Sequence, residues 1–551
     1  MDDAYKQAKE DFVSGMKGSS ISHVNLISLV ALVAVALYAA IRTRISPTRN
    51  FGYYVQWGLL VLPMLLAMTV AANRPVYLIA ILLIPTVGIL QLPRAEIGTP
   101  LPSNVPLSPS SSKSSRHPSA EKISPLPALT TYRAHMMLMT VLAILAVDFP
   151  VFPRSLAKCE TFGVSLMDLG VGSFIFSQGI VSAIPLVRDP SYITAPFLPK
   201  LLRVTKKSFP VIVLGLIRVL LVKGTEYPEH VTEYGVHWNF FITLALLPII
   251  QVFLHPFLSR IPISLAGIIV ALGQQIALSK FHLREYVTSD DRSTLISANK
   301  EGIVSLSGYL AIQLLGLSIG TIVLPPTPSF YSRRQAAYSK NVLGKRRNSE
   351  SSKARPFDIS APRQTAKTAT ELCAYAILSW ALLGVVRMLK VDGWGKDEGG
   401  VSRRMVNLPY ILWVAAFNAT FLLSYLVVLD LWIFAGSDGE TPNRTSKPGK
   451  EHVVMEASSP PGLSGYGGRG AGGIVGGGQD LAVSFNPPQL LEVINRGSLA
   501  VFLFANVLTG LINMTVSTMY TSDTRAMLIL VVYSLVVCYV PWRLGSSRWL
   551  R

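Results

Sequence analysis

An acid, two prolines and two basic residues follow an apolar run in the stretch AVDFPVFPRSLAKCE, residues 146–160. Pro150 and Pro153 cannot continue a helix, because proline lacks an amide hydrogen and its ring clashes with the preceding turn. The helix is therefore predicted to end at about Asp148, which places this carboxyl group at or just inside an apolar boundary.

Two cations follow Asp148 closely in the chain, Arg154 and Lys158. Burial raises the pKa of a carboxyl group unless a cation lies near it, and the two prolines could turn the chain so that Lys158 folds back toward Asp148. A carboxylate with a tuned pKa can remove a proton from an alcohol, and an ammonium group can stabilise an oxyanion or bind phosphate. The alternative, equally favoured by this stretch alone, is anchoring at the membrane interface by Phe149, Phe152 and Arg154.

A second acid, Asp168, lies about one turn into the next apolar segment, in SLMDLGVGSF. Acids within a membrane are functional by default, although a buried structural hydrogen bond is a fair alternative. Gly170 and Gly172 would permit a close approach of helices at this point. Cys159 could act as a nucleophile beside Lys158, but the sequence fixes no base next to it, and an ordinary loop thiol is favoured.

Proton-active and aromatic residues are dense in the stretch EYPEHVTEYGVHWNFF, residues 226–241. This density suits a site for a polar headgroup, and its candidate binding residues are His230, Glu233, His237, Trp238 and Asn239. The two histidines do not have the i, i+4 spacing of a helical zinc site, so no metal is expected. Further along, Asn506 and Asn513 lie seven residues apart on one helix face, where bonding between helices is the favoured interpretation.

The elements that must position these residues are membrane helices. The 551 residues are 50% hydrophobic and only 15% charged, which is too few charges to cover a soluble globule of this size. The net charge of +19 is carried mostly by short loops beside apolar segments, so it predicts topology rather than nucleic-acid binding. The composition predicts an all-α polytopic membrane protein that forms one domain over residues 1–551.

Thirteen segments are apolar over about the 17 to 25 residues that a membrane-spanning helix needs. They lie near 23–41, 55–72, 75–92, 133–149, 164–187, 209–223, 236–254, 260–280, 303–325, 370–389, 408–434, 498–519 and 526–542. The weakest is 209–223, which is short and carries Arg218. Three tracts with the composition of disordered cytoplasmic linkers interrupt the spans, at 99–127, 327–368 and 436–488.

Alternate loops are strongly basic, and basic loops favour the cytoplasmic side. This rule places the C-terminus in the cytoplasm and the N-terminus on the opposite face, together with 150–163, 223–235, 280–302 and 390–407. The candidate residues around Asp148 and Glu233 are therefore expected on one face of the membrane.

Several ordered blocks carry a resemblance to a known family. They are YKQAKEDFVSGMKGSSI, AVDFPVFPRSLAKCETFGVSLMDLGVGSFIFSQGIVS, EHVTEYGVHWNFF, SANKEGI, RRMVNLPYILWV and FLFANVLTGLINM. Together they resemble the inositol acyltransferases of glycosylphosphatidylinositol (GPI) anchor biosynthesis, the family of the fungal GPI-anchored wall transfer proteins and their animal counterparts (PIG-W). The resemblance runs over most of the membrane domain and is interrupted mainly at the three linkers.

The resemblance implies an endoplasmic-reticulum enzyme, and a family that is an antifungal target. It implies transfer of a long acyl chain, typically palmitoyl from palmitoyl-CoA, to the inositol of glucosaminyl-phosphatidylinositol on the lumenal side. No cofactor is implied, since acyl-CoA is a co-substrate; membrane lipids are the other partners. The family's acid and lysine fall on Asp148 as general base and Lys158 as its electrostatic partner. The candidate substrate-binding residues are Arg154, Asp168, His230, Glu233, His237, Trp238 and Asn239.

Two alternatives stay open, and the first is from a different functional class. A lipid or solute transporter could use the same intramembrane acids as gates. A membrane-bound acyltransferase of the histidine type could use His237 and Asn239 as its centre.

Overall fold

A computed structural model describes residues 11–12, 14–45, 51–93, 123–223, 231–343, 357–359, 361–393, 399–433 and 487–545. Throughout these ranges the regular structure is helical, which confirms the predicted all-α fold. The long helices are α1 (Ile21–Arg44), α2 (Tyr53–Met68, broken at Val61), α3 (Pro75–Leu90), α4 (Pro127–Ala146), α5 (Leu166–Ser182), α6 (Phe197–Lys223), α7 (Phe240–Leu258), α8 (Ile263–Lys280), α9 (Lys300–Val323), α10 (Phe330–Leu343), α11 (Thr365–Met388), α12 (Leu408–Tyr425), α13 (Ser498–Thr515) and α14 (Asp523–Leu544).

Shorter elements connect them. These are helices at Ile184–Arg188, Val231–Tyr234, Leu283–Thr288, Leu295–Ala298 and Gln489–Arg496, single turns at Arg154–Leu156, Val391–Gly393 and Thr518–Tyr520, and a wider π-type continuation of α12 over Leu426–Ile433.

Ten helices within the described ranges are long and apolar enough to cross a membrane. They are α1, α4, α5 with its continuation to Arg188, α7, α8, α9, α11, α12 with its continuation to Ile433, α13 and α14. The apolar helices α2 and α3 are shorter. The chain is thus a multi-pass membrane protein, but the predicted count of thirteen spans is not confirmed.

The weakest predicted span, 209–223, is the C-terminal half of a longer helix. Helix α6 begins at Phe197, and its first turns carry basic residues such as Lys200 and Lys206. Charge at one end and apolar residues at the other explain why only its second half had the composition of a span.

The predicted linker at 327–368 is wrong for Phe330–Leu343, which form helix α10. Phe330 is buried with Val187 and Ile359, and Arg334 donates a hydrogen bond to the Val187 carbonyl at 2.8 Å. An aromatic anchor therefore holds this basic segment to the bundle. The other two tracts, 99–127 and 436–488, lie almost entirely outside the described residues.

Helix α9 runs through the middle of the bundle and packs closely against α5. Gly179 of α5 faces the backbone of α9, and Gly316 and Gly320 of α9 face the backbone of α5 at Phe176 and Ile180. Only glycine leaves room for backbones this close, as in other membrane helix pairs with small residues. This packing sets the position of α5, which carries Asp168.

Polar caps fix where three helices begin around one end of the bundle. Ser165 accepts a hydrogen bond from the Asp168 amide at the start of α5, Asn239 caps α7, and Asn407 caps α12 through the Tyr410 amide. Such caps satisfy amide groups that have no partner within a helix. The same ends carry most of the candidate site residues.

Candidate active site

Asp148 lies two residues beyond the end of α4, in the turn that Pro150 and Pro153 were predicted to cause. Its side chain is buried, with 3% of the residue exposed. Phe149 and Phe152 are completely buried in the core, so they do not act as anchors at a membrane surface. The structure therefore disfavours the anchoring interpretation of this stretch.

Asn513 of α13 holds the Asp148 carboxylate. Its side-chain nitrogen donates to Asp148 Oδ2 at 2.8 Å, and its oxygen accepts from Thr518 Oγ1 at 3.3 Å. Asn506, seven residues earlier, instead bonds to the Phe502 carbonyl of its own helix. The sequence singled out this asparagine pair but could not show that only Asn513 reaches the acid.

Arg154 is the cation whose charge acts on Asp148. It donates to the carbonyl oxygens of Phe149 and Phe152, both at 2.9 Å, and stacks over the Phe12 ring at 4.2 Å. Burial lowers the pKa of Arg154 to about 10, and the Asp148 carboxylate opposes this change. A pKa of about 10 leaves the guanidinium charged at neutral pH.

Lys158 does not form the expected ion pair with Asp148. Its ammonium binds Glu233 Oε2 at 2.8 Å, with 37% of the lysine side chain and 13% of the glutamate side chain exposed. The physical reason is the path of the chain after Pro153. One 3-10 turn at Arg154–Leu156 and an extended Ala157 direct Lys158 toward the short helix Val231–Tyr234.

Arg403 joins two of the predicted acids and was missed by the sequence analysis. Its Nε contacts Asp168 Oδ1 at 2.6 Å, and its Nη1 contacts Glu233 Oε1 at 3.2 Å. Burial alone would lower the pKa of Arg403, but Glu233 and Asp168 outweigh it and hold the pKa well above its usual value. The only signal in the sequence was a pair of arginines, with Arg404, just ahead of an apolar span.

Asp168 is 1% exposed, and both of its carboxylate oxygens accept hydrogen bonds from the protein. Its Oδ2 accepts from the backbone amide of Cys159 at 2.9 Å and from Ser165 Oγ at 2.8 Å. Burial, reinforced by this carboxylate, raises the pKa of the Cys159 thiol. A buried and protonated thiol is a poor nucleophile, so the loop-thiol interpretation is favoured.

The remaining predicted residues surround the start of α7. The His237 amide donates to Asn299 Oδ1 at 2.7 Å, and Trp238 Nε1 donates to Thr243 Oγ1 at 2.9 Å. Asn239 is buried, caps α7 with its oxygen and donates to the Gly215 carbonyl at 2.8 Å. His230 lies outside the described residues.

Contacts across the chain bring the N-terminal segment to the same end as the candidate residues. The Ser19 amide donates to the Val164 carbonyl at 2.6 Å, and the Gly163 amide donates to the Val401 carbonyl at 2.8 Å. The Gly15 amide donates to Glu160 at 2.8 Å.

The described residues hold no group of three His, Cys, Asp or Glu side chains that could bind a metal ion.

The arrangement can bind and deprotonate a hydroxyl group. Asp148 is a buried carboxylate with a neutral amide donor on one side and a guanidinium nearby, while Lys158 is a partly exposed ammonium on the same loop. A base of this kind and a cation for developing negative charge are the groups that acyl transfer to an alcohol requires.

Comparison with known proteins gives one family along nearly the whole chain. A sequence model of the GWT1 family matches residues 5–544. GPI-anchored wall transfer protein 1 of Cryptococcus neoformans var. neoformans is 35% identical, with 98% of each chain covered. The proteins of the same name from Gibberella zeae and Aspergillus fumigatus are each 36% identical, covering 96% and 100% of this chain and 95% and 99% of their own.

Proposed function

Because the chain belongs to the GWT1 family of GPI-anchored wall transfer proteins, we propose that it is an acyltransferase of GPI-anchor biosynthesis. It transfers a palmitoyl group, or a similar long acyl chain, from acyl-CoA to the inositol ring of glucosaminyl-phosphatidylinositol. The reaction takes place on the lumenal side of the endoplasmic-reticulum membrane, with the N-terminus lumenal and the C-terminus cytoplasmic.

The observation that carries this proposal is the setting of Asp148. A carboxylate 3% exposed lies at the end of a membrane helix and is oriented by Asn513 from a helix near the other end of the chain. A buried acid at such a boundary is a functional candidate, because an uncompensated carboxylate is costly in an apolar environment.

In the proposed reaction Asp148 accepts the proton of an inositol hydroxyl group, and the hydroxyl oxygen attacks the thioester carbonyl carbon. A carbon–oxygen bond forms, and the carbonyl oxygen carries the negative charge of the tetrahedral intermediate. The carbon–sulfur bond then breaks, and the departing sulfur of coenzyme A takes the proton from Asp148. Lys158 stabilises the oxyanion or the lipid phosphate with its ammonium group.

The apolar bundle supports this reaction by holding both lipid tails in one membrane. Confinement of the acyl chain and the acceptor lipid makes the attack effectively intramolecular, which can supply several kcal/mol of the barrier, on the order of 7 to 11 in model systems. Arg154, His237 and Trp238 are the candidates for binding the headgroup or thioester. No cofactor is required, since acyl-CoA brings the activated acyl group.

The test uses purified protein with palmitoyl-CoA and glucosaminyl-phosphatidylinositol, and measures acylated lipid by mass spectrometry. Asp148→Asn is expected to lower the rate on the order of 100-fold to 10,000-fold, the range for a general base. Lys158→Ala is expected to lower it as well. The matched controls are Lys280→Ala at the end of α8 and Asp290→Asn in the segment that follows it. Both residues are exposed and assigned to the same face, and both variants should keep the wild-type rate.

Undiminished transfer by both variants would remove Asp148 and Lys158 from the mechanism. Lipid movement across vesicles without any acylated product would favour the transporter instead. The histidine-type centre has less support, because the Asn239 amide is already used in capping α7 and in bonding Gly215. Loss of activity in His237→Ala alone would revive it.

A further inference from the structure

The contacts around Lys158 form a closed ring. Its ammonium binds Glu233 Oε2, and the other oxygen of Glu233 binds Arg403 Nη1. Arg403 Nε binds Asp168 Oδ1, and Asp168 Oδ2 accepts from the backbone amide of Cys159. Since Cys159 is the residue after Lys158, the ring holds this lysine at both its side chain and its backbone.

The ring carries two positive and two negative charges, so it is neutral as a whole. Charges are costly to bury unless they are paired and hydrogen-bonded, and each acid here meets a cation. Exposure changes around the ring: the side chains of Asp168 and Arg403 are 1% and 4% exposed, Glu233 is 13% exposed and Lys158 is 37% exposed. The buried part is therefore a fixed base, and Lys158 is the end that solvent or substrate can reach.

Additional contacts fix the buried part. The Tyr410 hydroxyl of α12 donates to the Asp168 carbonyl at 2.7 Å, and the Arg403 guanidinium lies over the Tyr234 ring at 5.8 Å from its centre. Ser165, the cap of α5, donates to the same oxygen of Asp168 that holds the Cys159 amide. The ring is thus tied to the starts of α5 and α12 and to the short helix Val231–Tyr234.

We propose that Arg403, Glu233 and Asp168 are positioning residues that fix the ammonium of Lys158 for acyl transfer. This inference rests on the proposed function, in which Lys158 stabilises the developing negative charge. It assigns a role to Arg403, and it moves Glu233 and Asp168 from binding the substrate to orienting the lysine. Both carboxylate oxygens of Asp168 are already bonded to the protein, as a positioning role requires.

Glu233→Gln is the variant that tests the ring with least disturbance. It keeps the size of the side chain and an oxygen that can accept a hydrogen bond, but removes the charge that attracts Lys158 and Arg403. The matched control is Glu285→Gln, the same chemical change at an exposed residue that pairs with His282. Removing Arg403 would leave two buried acids around an empty site and could prevent folding, so Arg403→Lys is the second variant.

Two measurements are made on these proteins after their melting temperatures show that they are folded. The first is brief acetylation with acetic anhydride, with the extent at Lys158 read by peptide mass spectrometry relative to the exposed Lys17. Loss of the ion pair is expected to raise the Lys158 signal about two- to fivefold, the effect of a partly exposed ion pair. The control Glu285→Gln should leave the ratio unchanged.

The second measurement is steady-state acyl transfer. A misplaced Lys158 lowers kcat on the order of 10-fold to 100-fold with little change in KM for the acceptor lipid. Glu233→Asp, which keeps the charge but shortens the side chain, should recover part of the rate. A raised KM with kcat maintained would show that Glu233 binds substrate, and it would overturn the inference.

An unchanged acetylation ratio at Lys158 in both Glu233→Gln and Arg403→Lys would also overturn it. Failure of the proposed function has a different signature. In that case the wild-type protein makes no acylated lipid, or Asp148→Asn and Lys158→Ala retain the full rate, whatever the acetylation of Lys158 shows. The labelling result therefore tests whether the ring positions Lys158, and the activity of the two catalytic variants tests the proposed acyltransferase function.

Discussion

The close contact between α5 and α9 gives a quantitative prediction for Gly316→Ala. A methyl group added at Gly316 would lie 3.0 Å from the carbonyl carbon and 3.1 Å from the Cα of Phe176, with the carbonyl oxygen closer still. These atoms belong to the backbone of α5, so no side-chain rotation can relieve the contact. The two helices must separate, or the variant must bear the strain.

The expected cost is that of overpacking a filled interior, about 1 to 3 kcal/mol of unfolding free energy. The matched control is Gly384→Ala in α11, where an added methyl group meets nothing within 4 Å. Alanine is favoured over glycine in a helix by about 0.5 to 1 kcal/mol, so the control should be neutral or slightly stabilised. The same substitution is therefore predicted to destabilise the protein at Gly316 but not at Gly384.

The assay is the apparent melting temperature of the detergent-solubilised protein, followed by tryptophan fluorescence at one scan rate because unfolding of such proteins is often irreversible. Gly316→Ala is expected to melt about 2 to 6 °C below wild type, from about 2 °C per kcal/mol for a large chain. Melting of Gly316→Ala at or above the temperature of Gly384→Ala would contradict this prediction. In that case the packing of α5 on α9 does not depend on the missing side chain.

Two further predictions concern the site. Asn513→Ala removes the amide that orients the buried acid, and kcat should fall on the order of 10-fold to 100-fold, whereas Asn506→Ala, which loses only a bond within its own helix, should keep the wild-type rate. Because burial raises the pKa of the Cys159 thiol, its thiolate fraction is smaller than that of an ordinary cysteine at any pH below that pKa. Iodoacetamide at pH 7.5 should therefore leave Cys159 unmodified until the protein is denatured, and modification of Cys159 in the native protein as fast as after denaturation would contradict this.

Local features of the fold could be predicted because they depend on neighbours in the chain. The prolines after Asp148 predicted the end of a helix, and α4 ends at Ala146. The apolar runs predicted helices for the same reason, since about 20 apolar residues in a helix cross a membrane. The start of α6 was misplaced because its first turns are basic. Mean hydropathy depends only on composition. A helix whose first turns are polar is therefore predicted as a shorter apolar helix.

The pairings in the site could not be predicted, because each depends on helix rotation and register. Asn513 and Asp148 are 365 positions apart, and Arg403 and Asp168 are 235 apart. Charge in the loops predicted that such residues share one face of the membrane. Several acids lie near each cation on that face, so the sequence did not show which acid each cation binds. The candidate residues could therefore be predicted from the sequence, whereas their pairings depend on the packing of α5, α12 and α13.

A strained turn lies between the two arginines and the start of α12. Val406 has φ = 45°, in the left-handed region that a β-branched side chain rarely adopts, and Gly308 of α9 provides the space against which it packs. A strained backbone of this kind persists only where its surroundings fix it, and it is common at functional sites. Here Arg403 binds Asp168, while the next residue, Arg404, binds the buried Glu301 at 3.0 Å. The two adjacent arginines thus bind acids of different helices, Asp168 of α5 and Glu301 of α9, and so connect the segment ahead of α12 to both of them.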